Sequence, residues 1–175
     1  MFGVQADSSS FNFVQMSYSE VEFDGLEEDL EGLEFKMNYK LSEHFYLNYE
    51  NIDVDGGELD MKLRNIGLGF HSKLSNGYTY FGQIDWANLE SNNGIVEQNS
   101  NEDGYRLSIG IRNQSFENIE YKAVYEFLDI DDEPTNIFVF EVAYNFAEQF
   151  SIFATHKSDT DGDFEQYSLG IRYEM

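Results

Sequence analysis

The sequence predicts an all-β fold, a closed antiparallel up-and-down transmembrane β-barrel of ten strands, with eight strands as the alternative. Apolar and polar residues alternate one for one in ten stretches, as in 33–39 and 105–112, and a period of two is typical of strands with one face in an apolar medium. The polar faces include full charges, which a soluble core rarely accepts unpaired. We therefore expect the apolar faces to meet lipid and the charged faces to line the lumen.

Two kinds of break alternate strictly between the strands and so mark the two ends of one barrel. Short breaks with aromatic or aliphatic flanks are assigned to periplasmic turns, and acidic breaks rich in Gly, Asn and Asp to extracellular loops. The predicted strands are 11–23, 29–40, 45–54, 59–71, 78–90, 102–112, 118–130, 136–145, 150–158 and 163–174. Only the break between Glu90 and Asp103 is long enough to fold over the mouth as a loop.

The length of 175 residues is enough for one domain, and the composition is compatible with an envelope protein. Residues 11–175 are predicted to form a single barrel domain, and residues 1–10 an N-terminal segment left after removal of an export signal. Val4-Gln5-Ala6 resembles the small-residue end of such a signal, although chance explains three residues equally well. The chain has no cysteine, so neither disulfides nor thiolate chemistry are expected.

The chain is strongly acidic, with 34 acids, 10 bases and a formal charge of −24. Such a surface repels phosphates, so nucleic acid is excluded as a partner. Disorder is the usual interpretation of this acidity. The aromatic content of 17% and the regular alternation argue against it.

The outward positions predict two aromatic girdles at lipid–water interfaces. The alternative is that aromatic residues are simply good strand formers. The periplasmic girdle would contain Tyr39, Phe45, Phe70, Tyr78, Tyr121, Tyr144, Phe150 and Tyr173, and the extracellular girdle Tyr18, Tyr49, Trp86, Tyr105, Phe127 and Phe138.

The inward positions at mid-barrel predict a network of six acids and six bases. Buried charges need partners, and such a network is either a structural plug, which we favour, or a conduction path. Its members are Glu34, Lys36, Glu50, Asp85, Arg106, Arg112, Glu120, Lys122, Glu126, Glu141, Lys157 and Arg172.

Above the lipid band the pattern inverts, and inward positions become apolar. We expect a small apolar core that closes the barrel top, since the interior of a ten-strand barrel is narrow; a pocket for an apolar ligand is the alternative. The residues are Val21, Phe23, Leu30, Ile52, Val54, Leu59, Met61, Leu63, Leu89, Leu128, Ile130, Ile137, Val139 and Phe164.

Little catalytic or cofactor chemistry is indicated. His156, Ser158 and Asp159 are the residue types of a hydrolase, but no oxyanion donors are identifiable, and we predict no enzyme. Asp159, Asp161 and Asp163 resemble part of a calcium loop, for which a tight acidic turn is the simpler interpretation. We expect no cofactor beyond Ca²⁺ or Mg²⁺ held weakly at the acidic rim.

Two outward cations lie near the extracellular interface. Lys62 and Arg64 could contact lipopolysaccharide phosphates. The alternative is an ordinary ion pair with Asp60 or with a neighbouring strand.

Gly104-Tyr105, Gly110-Ile111-Arg112 and the closing segment Tyr167 to Met175 resemble those of small bacterial outer-membrane barrels, the OmpA/OmpX-like superfamily in the broad sense. The resemblance implies an outer-membrane location and a C-terminal signal read by the barrel-assembly machinery, with Met175 where Phe or Trp is usual. Family members serve in surface, adhesion, envelope-integrity or narrow-channel roles.

We therefore predict an outer-membrane barrel with a plugged lumen and a structural or surface-interaction role through an acidic extracellular rim. The alternatives are a narrow, porin-like channel for small polar solutes and a barrel subunit of a larger envelope complex. The expected partners are membrane lipid, lipopolysaccharide, the assembly machinery and an envelope protein.

Overall fold

The computed structural model describes residues 11–25, 28–57, 59–74, 77–93, 98–116 and 118–175, so the predicted segment 1–10 lies outside the described residues. The described residues form ten strands in one closed antiparallel barrel, in which β1 pairs with β10. The ten-strand prediction is confirmed, and the eight-strand alternative is wrong. The strands are β1 Phe13–Phe23, β2 Leu30–Lys40, β3 Phe45–Gly56, β4 Leu59–Lys73, β5 Tyr78–Asn93, β6 Gln98–Phe116, β7 Ile119–Ile130, β8 Glu133–Asn145, β9 Phe150–Asp159 and β10 Phe164–Glu174.

The outer wall carries a continuous apolar surface. Along the middle and periplasmic parts of the strands, most outward side chains are exposed aliphatic or aromatic groups, and Leu169 and Ile109 are 68% and 66% exposed. Soluble monomers rarely expose apolar patches of this extent, whereas lipid solvates such a wall. The described residues contain no helix long and apolar enough to cross a membrane.

The barrel closes through a regular seam between the first and last strands. β1 and β10 pair without interruption from Phe13↔Glu174 to Phe23↔Phe164. Gly170 lies inside this seam, where an added Cβ would stand 2.3 Å from the carbonyl oxygen of Met16. The absence of a side chain there lets the two strands approach closely.

The predicted loop between Glu90 and Asp103 is wrong. β5 and β6 continue as a paired hairpin as far as Asn93↔Gln98. Polar contacts join the two strands of this hairpin. The hydroxyls of Ser91 and Ser100 lie 2.7 Å apart, and Asn88 donates a hydrogen bond to Asn101 at 2.6 Å. Both faces of this hairpin tip carry polar residues, so no apolar alternation reveals these parts of the strands.

β8 begins at Glu133, three residues earlier than the predicted 136, because β7 and β8 are joined by a tight turn. Asp131 and Asp132 both have positive φ, 53° and 63°. Two such residues form the hairpin turn whose twist matches that of the flanking strands. An acidic stretch that reads as a loop is thus a two-residue turn at the extracellular end.

The closing seam should be the point at which a single methyl group disturbs the barrel. Gly170→Ala should cost about 1–3 kcal/mol through overpacking against β1, and should lower the fraction of protein that resists SDS and shifts in a gel on boiling. Gly82→Ala is the matched control, because its Cβ would meet only the Ser108 carbonyl at 3.7 Å. Equal losses for the two variants would contradict this role of the seam.

Candidate functional site

The lumen is the most distinctive part of the molecule, and its side chains form three layers. Aromatic rings lie at the periplasmic end, charged groups in the middle and aliphatic groups at the extracellular end. The structure places all twelve residues of the sequence-predicted network on inward faces, where ten are buried and Lys36 and Lys122 are half-buried. Ion pairs bring them together in two groups, one around Glu50 and one around Arg172.

The first group is centred on Glu50, which is 1% exposed. Its carboxylate is paired with Arg106 and with Lys36 at 3.4 Å, and it accepts a hydrogen bond from Asn65 at 3.0 Å. The Arg106 guanidinium also lies 2.9 Å from Asp85. Further pairs extend the group: Arg106–Glu126 at 3.7 Å, Lys157–Glu50 at 3.8 Å and Lys157–Glu34 at 3.4 Å.

The second group is centred on Arg172, which is also 1% exposed. Arg172 is paired with Glu141 and with Glu120 at 2.7 Å. Lys122 contacts Glu141 at 2.6 Å, and Arg112 contacts Glu120 at 2.6 Å. Each charge thus has an opposite charge beside it, which is the condition for keeping ions inside a narrow barrel.

Sequence reasoning missed one member of the second group. Glu174 lies 3.2 Å from Arg112 and 3.9 Å from Arg172, with its side chain 16% exposed. The signal was present, since Glu174 has the same parity on β10 as Arg172. Its position as the last residue of β10 made its place in the lumen uncertain from the sequence.

The periplasmic aromatic layer was missed as well. The Phe11 ring is buried against Tyr46 at 4.7 Å, His71 at 4.4 Å and Phe81 at 5.4 Å between centroids. The Arg112 guanidinium lies 5.7 Å from the centre of the same ring. Aromatic residues near strand ends suggest an interfacial girdle, and only their parity shows that Tyr46 and Phe81 point inward.

The extracellular apolar residues form more than the expected cap. Val21, Leu30, Ile52 and Val54 are buried in one cluster, against which Phe23, Leu59, Met61, Leu63 and Phe164 pack. Val124, Ile137 and Val139 belong instead to the cluster of Phe11, Tyr46 and Phe81. One side of the lumen is therefore apolar along most of its length, and the charges occupy the rest.

The described lumen contains a small cavity. Its volume is about 40 Å³, and its lining includes Gln15, Lys36, Glu50 and Phe153. Because one water needs roughly 10–15 Å³, a cavity of this size has room for about three waters.

The outer wall above the lipid band carries an acidic belt, defined by Glu20, Glu22, Glu31, Asp55, Asp60 and Glu165. The register sets like charges directly opposite one another: Glu22↔Glu165, Glu20↔Glu31, Glu31↔Asp55 and Asp55↔Asp60. Directly opposed like charges destabilise a sheet. Glu20, Glu22 and Asp29 also bring carboxylate oxygens within 4.8 Å of one another.

The two cations considered for lipopolysaccharide contact already have acidic partners. The Lys62 ammonium lies 2.7 Å from the Asp53 carboxylate. The Arg64 guanidinium donates two hydrogen bonds to the Glu90 carboxylate, at 2.6 and 3.1 Å. The hydrogen bond to Glu90 raises the pKa of Arg64. Both acids lie on strands next to β4, which is the neighbouring-strand form of the predicted ion pair, and Asp60 is not the partner in either pair.

The carboxylates of the predicted acidic turn and the histidine considered for a hydrolase site make local contacts. Asp159 accepts backbone N–H groups of Gly162, Asp163 and Phe164 at 2.8, 3.0 and 3.3 Å, so its carboxylate closes the turn. Asp161 and Asp163 are exposed in that turn. His156 stacks on Tyr167 at 4.7 Å and lies 3.8 Å from Glu165, on the outer wall.

Removing one lumen charge should destabilise the barrel far more than removing one rim charge. Glu120→Gln would leave Arg112 and Arg172 short of a counter-charge, at a cost of about 3–5 kcal/mol. Glu22→Gln, at an exposed position, should cost little. Urea unfolding in detergent, followed by the fluorescence of the single residue Trp86, measures both. Equal losses would mean that the lumen pairs contribute no more than surface pairs.

No family model and no curated protein sequence matches the chain. Solved structures do match. The NanC porin is 8% identical over 93% of this chain and 99% of its own, with a TM-score of 0.52, and the KdgM porin is 9% identical over 92% and 99%, with a TM-score of 0.51. Ail, the attachment invasion locus protein of Yersinia pestis, is 14% identical over 93% and 95%, with a TM-score of 0.48. These likenesses show the fold: the chain is a small closed β-barrel, and its apolar outer wall is of the kind that lipid solvates.

Proposed function

We propose that the protein is a plugged outer-membrane barrel that serves a structural and surface-interaction role through its acidic extracellular rim. The filled lumen is the observation that supports this proposal most directly. Two groups of ion pairs and two apolar clusters occupy the interior, and the cavity between them measures about 40 Å³. No catalytic step is part of the proposal.

Each layer opposes ion passage for a different reason. The charged groups are held by partners on other strands, so moving one aside would leave others unpaired. The aliphatic layer around Val21, Leu30, Ile52 and Val54 offers an ion nothing to replace its water. The ring of Phe11 closes the periplasmic side. An ion would have to cross all three, which argues for a plug over a channel.

With the lumen closed, the extracellular surface remains the part of the molecule available to partners. The belt and the hairpin tips are rich in carboxylates, and the whole chain carries −24 charges, so a cationic partner is favoured. Contact of Lys62 and Arg64 with lipopolysaccharide stays a proposal in which phosphates compete with Asp53 and Glu90. Recognition of β10 by the assembly machinery stays one as well.

The unmodified protein should show no steady conductance in a planar lipid bilayer, because all three layers of the lumen are filled. A variant that thins every layer, F11A/F23A/E50A/R106A/F164A, should leak ions. The matched control replaces rim residues on the same hairpins, E20S/E22S/D53S, and should stay closed. Steady, ion-selective openings of the unmodified barrel would favour the channel alternative.

The acidic belt should make stability depend on salt. At low ionic strength, E20Q/E31Q should raise the melting temperature, because it removes directly opposed like charges. The gain should shrink as salt screens the belt. If the rim holds Ca²⁺ or Mg²⁺ weakly, these ions should stabilise the unmodified barrel more than NaCl of equal ionic strength. N48Q, inside the lumen, is the control: its effect on the melting temperature should not change with salt.

A further inference from the structure

We infer that the upper part of β6 is an open docking edge that takes one added strand from a partner protein with basic side chains. This deepens the proposed surface-interaction role and rests on it. β6 pairs with β5 as far as Gln98, but with β7 only as far as Gly104↔Ile130. Between Asn99 and Asp103 the strand therefore has a described neighbour on one side only.

The alternation of the strand identifies the free backbone groups. Gln114 donates its N–H to the Gly77 carbonyl, on the β5 side, and the Asp129 carbonyl of β7 approaches Gly104 closely enough to meet an added Cβ at 1.9 Å. Even-numbered residues of β6 thus direct their backbone groups towards β5 and odd-numbered residues towards β7. Asn99, Asn101 and Asp103 consequently present N–H and C=O groups beyond the end of β7.

The edge is held in an extended conformation before any partner arrives. On its paired side, Asn88 donates to Asn101, Asp103 and the Glu102 carbonyl at 2.6, 2.9 and 3.4 Å. The hairpin is further joined by the Ser91–Ser100 hydroxyl contact. A pre-ordered edge lowers the conformational cost of adding a strand, and main-chain hydrogen bonds then supply affinity.

The surroundings select the charge of the partner. The path of an added strand passes the tight turn of β7 and β8, where Asp131, Asp132 and Glu133 are exposed, and Asp103 and Asp129 stand beside it. The sequence contains no Lys or Arg between Lys73 and Arg106, or between Lys122 and Lys157. Lysine or arginine side chains on the incoming strand would meet only acids here.

The same charges disfavour a second copy of this chain. Edge-to-edge pairing of two β6 strands would bring together two sets of Glu102, Asp103 and Asp131, and negative charge on an edge is a recognised guard against such pairing. The occupant we assign is therefore an extended, basic segment of another protein.

The test uses the full-length protein in phosphatidylcholine nanodiscs and the ten-residue peptide (Lys-Thr)₅. The comparison peptide is identical except that its four central amides are N-methylated, which removes strand-pairing donors and keeps the charge. The unmethylated peptide should bind about tenfold more tightly, as expected from the loss of a few main-chain hydrogen bonds. It should also slow hydrogen exchange at Asn99, Asn101 and Asp103.

Two variants locate the site. Asn101→Pro and Asn101→Thr both lose the side-chain contact to Asn88, but only Asn101→Pro also removes the free N–H. Asn101→Pro should therefore bind (Lys-Thr)₅ about tenfold more weakly than Asn101→Thr. Should Asn101→Pro fail to fold, D131N/D132G keeps residues suited to the turn and removes two acids, so it should weaken binding while retaining the preference for the unmethylated peptide.

Each outcome decides a separate claim. Equal affinity of the two peptides would overturn the docking edge and leave the acidic rim as a general electrostatic surface. Failure of both peptides to bind would remove the surface-interaction role as well. Concentration-dependent dimers that protect the same amides would show that the occupant is a second copy of this chain.

Discussion

The pairing of charges inside the lumen is the constraint on which the rest of the structure depends. Twelve charged side chains predicted from the sequence, together with Glu174, point into the lumen, where they form ion pairs. A closed barrel can turn its polar face inward only if those charges neutralise one another. Glu50 and Arg172, each in contact with more than one opposite charge, connect strands that are distant in the sequence.

The neutralisation of charges inside the lumen determines the net charge of the outer surface. Because most of the bases are used in the lumen, the exterior above the lipid keeps a large excess of acids. Two outward cations, Lys62 and Arg64, are each paired with one of these acids. The acidity of the outer surface and the pairing of charges in the lumen are thus two results of one distribution of ten bases.

Much of this architecture could be predicted from the sequence, for a definite reason. Within the membrane the two faces of a strand meet different media, so parity alone places Glu120 inside and Ile109 outside. At the tip of the β5–β6 hairpin both faces of the strands carry polar residues, so Ser91 and Ser100 gave no strand signal. The aromatic layer around Phe11 was not predicted for another reason. Inward aromatic residues and those of an interfacial girdle both lie near strand ends, and only their parity distinguishes them. The ion-pair partner of each lumen charge could not be predicted from the sequence either, because pairing depends on which strands face each other across the lumen.

The uneven height of the wall gives the extracellular end its character. β4, β5 and β6 continue beyond the point where β7 turns back at Asp131 and Asp132. Where neighbouring strands differ in height, the taller one must present backbone groups without a partner on that side. Apolar residues there would invite aggregation, whereas Asn99, Asn101 and Asp103 hold the edge in water. The polarity that hid this hairpin from sequence analysis is therefore what allows an open edge to persist in water.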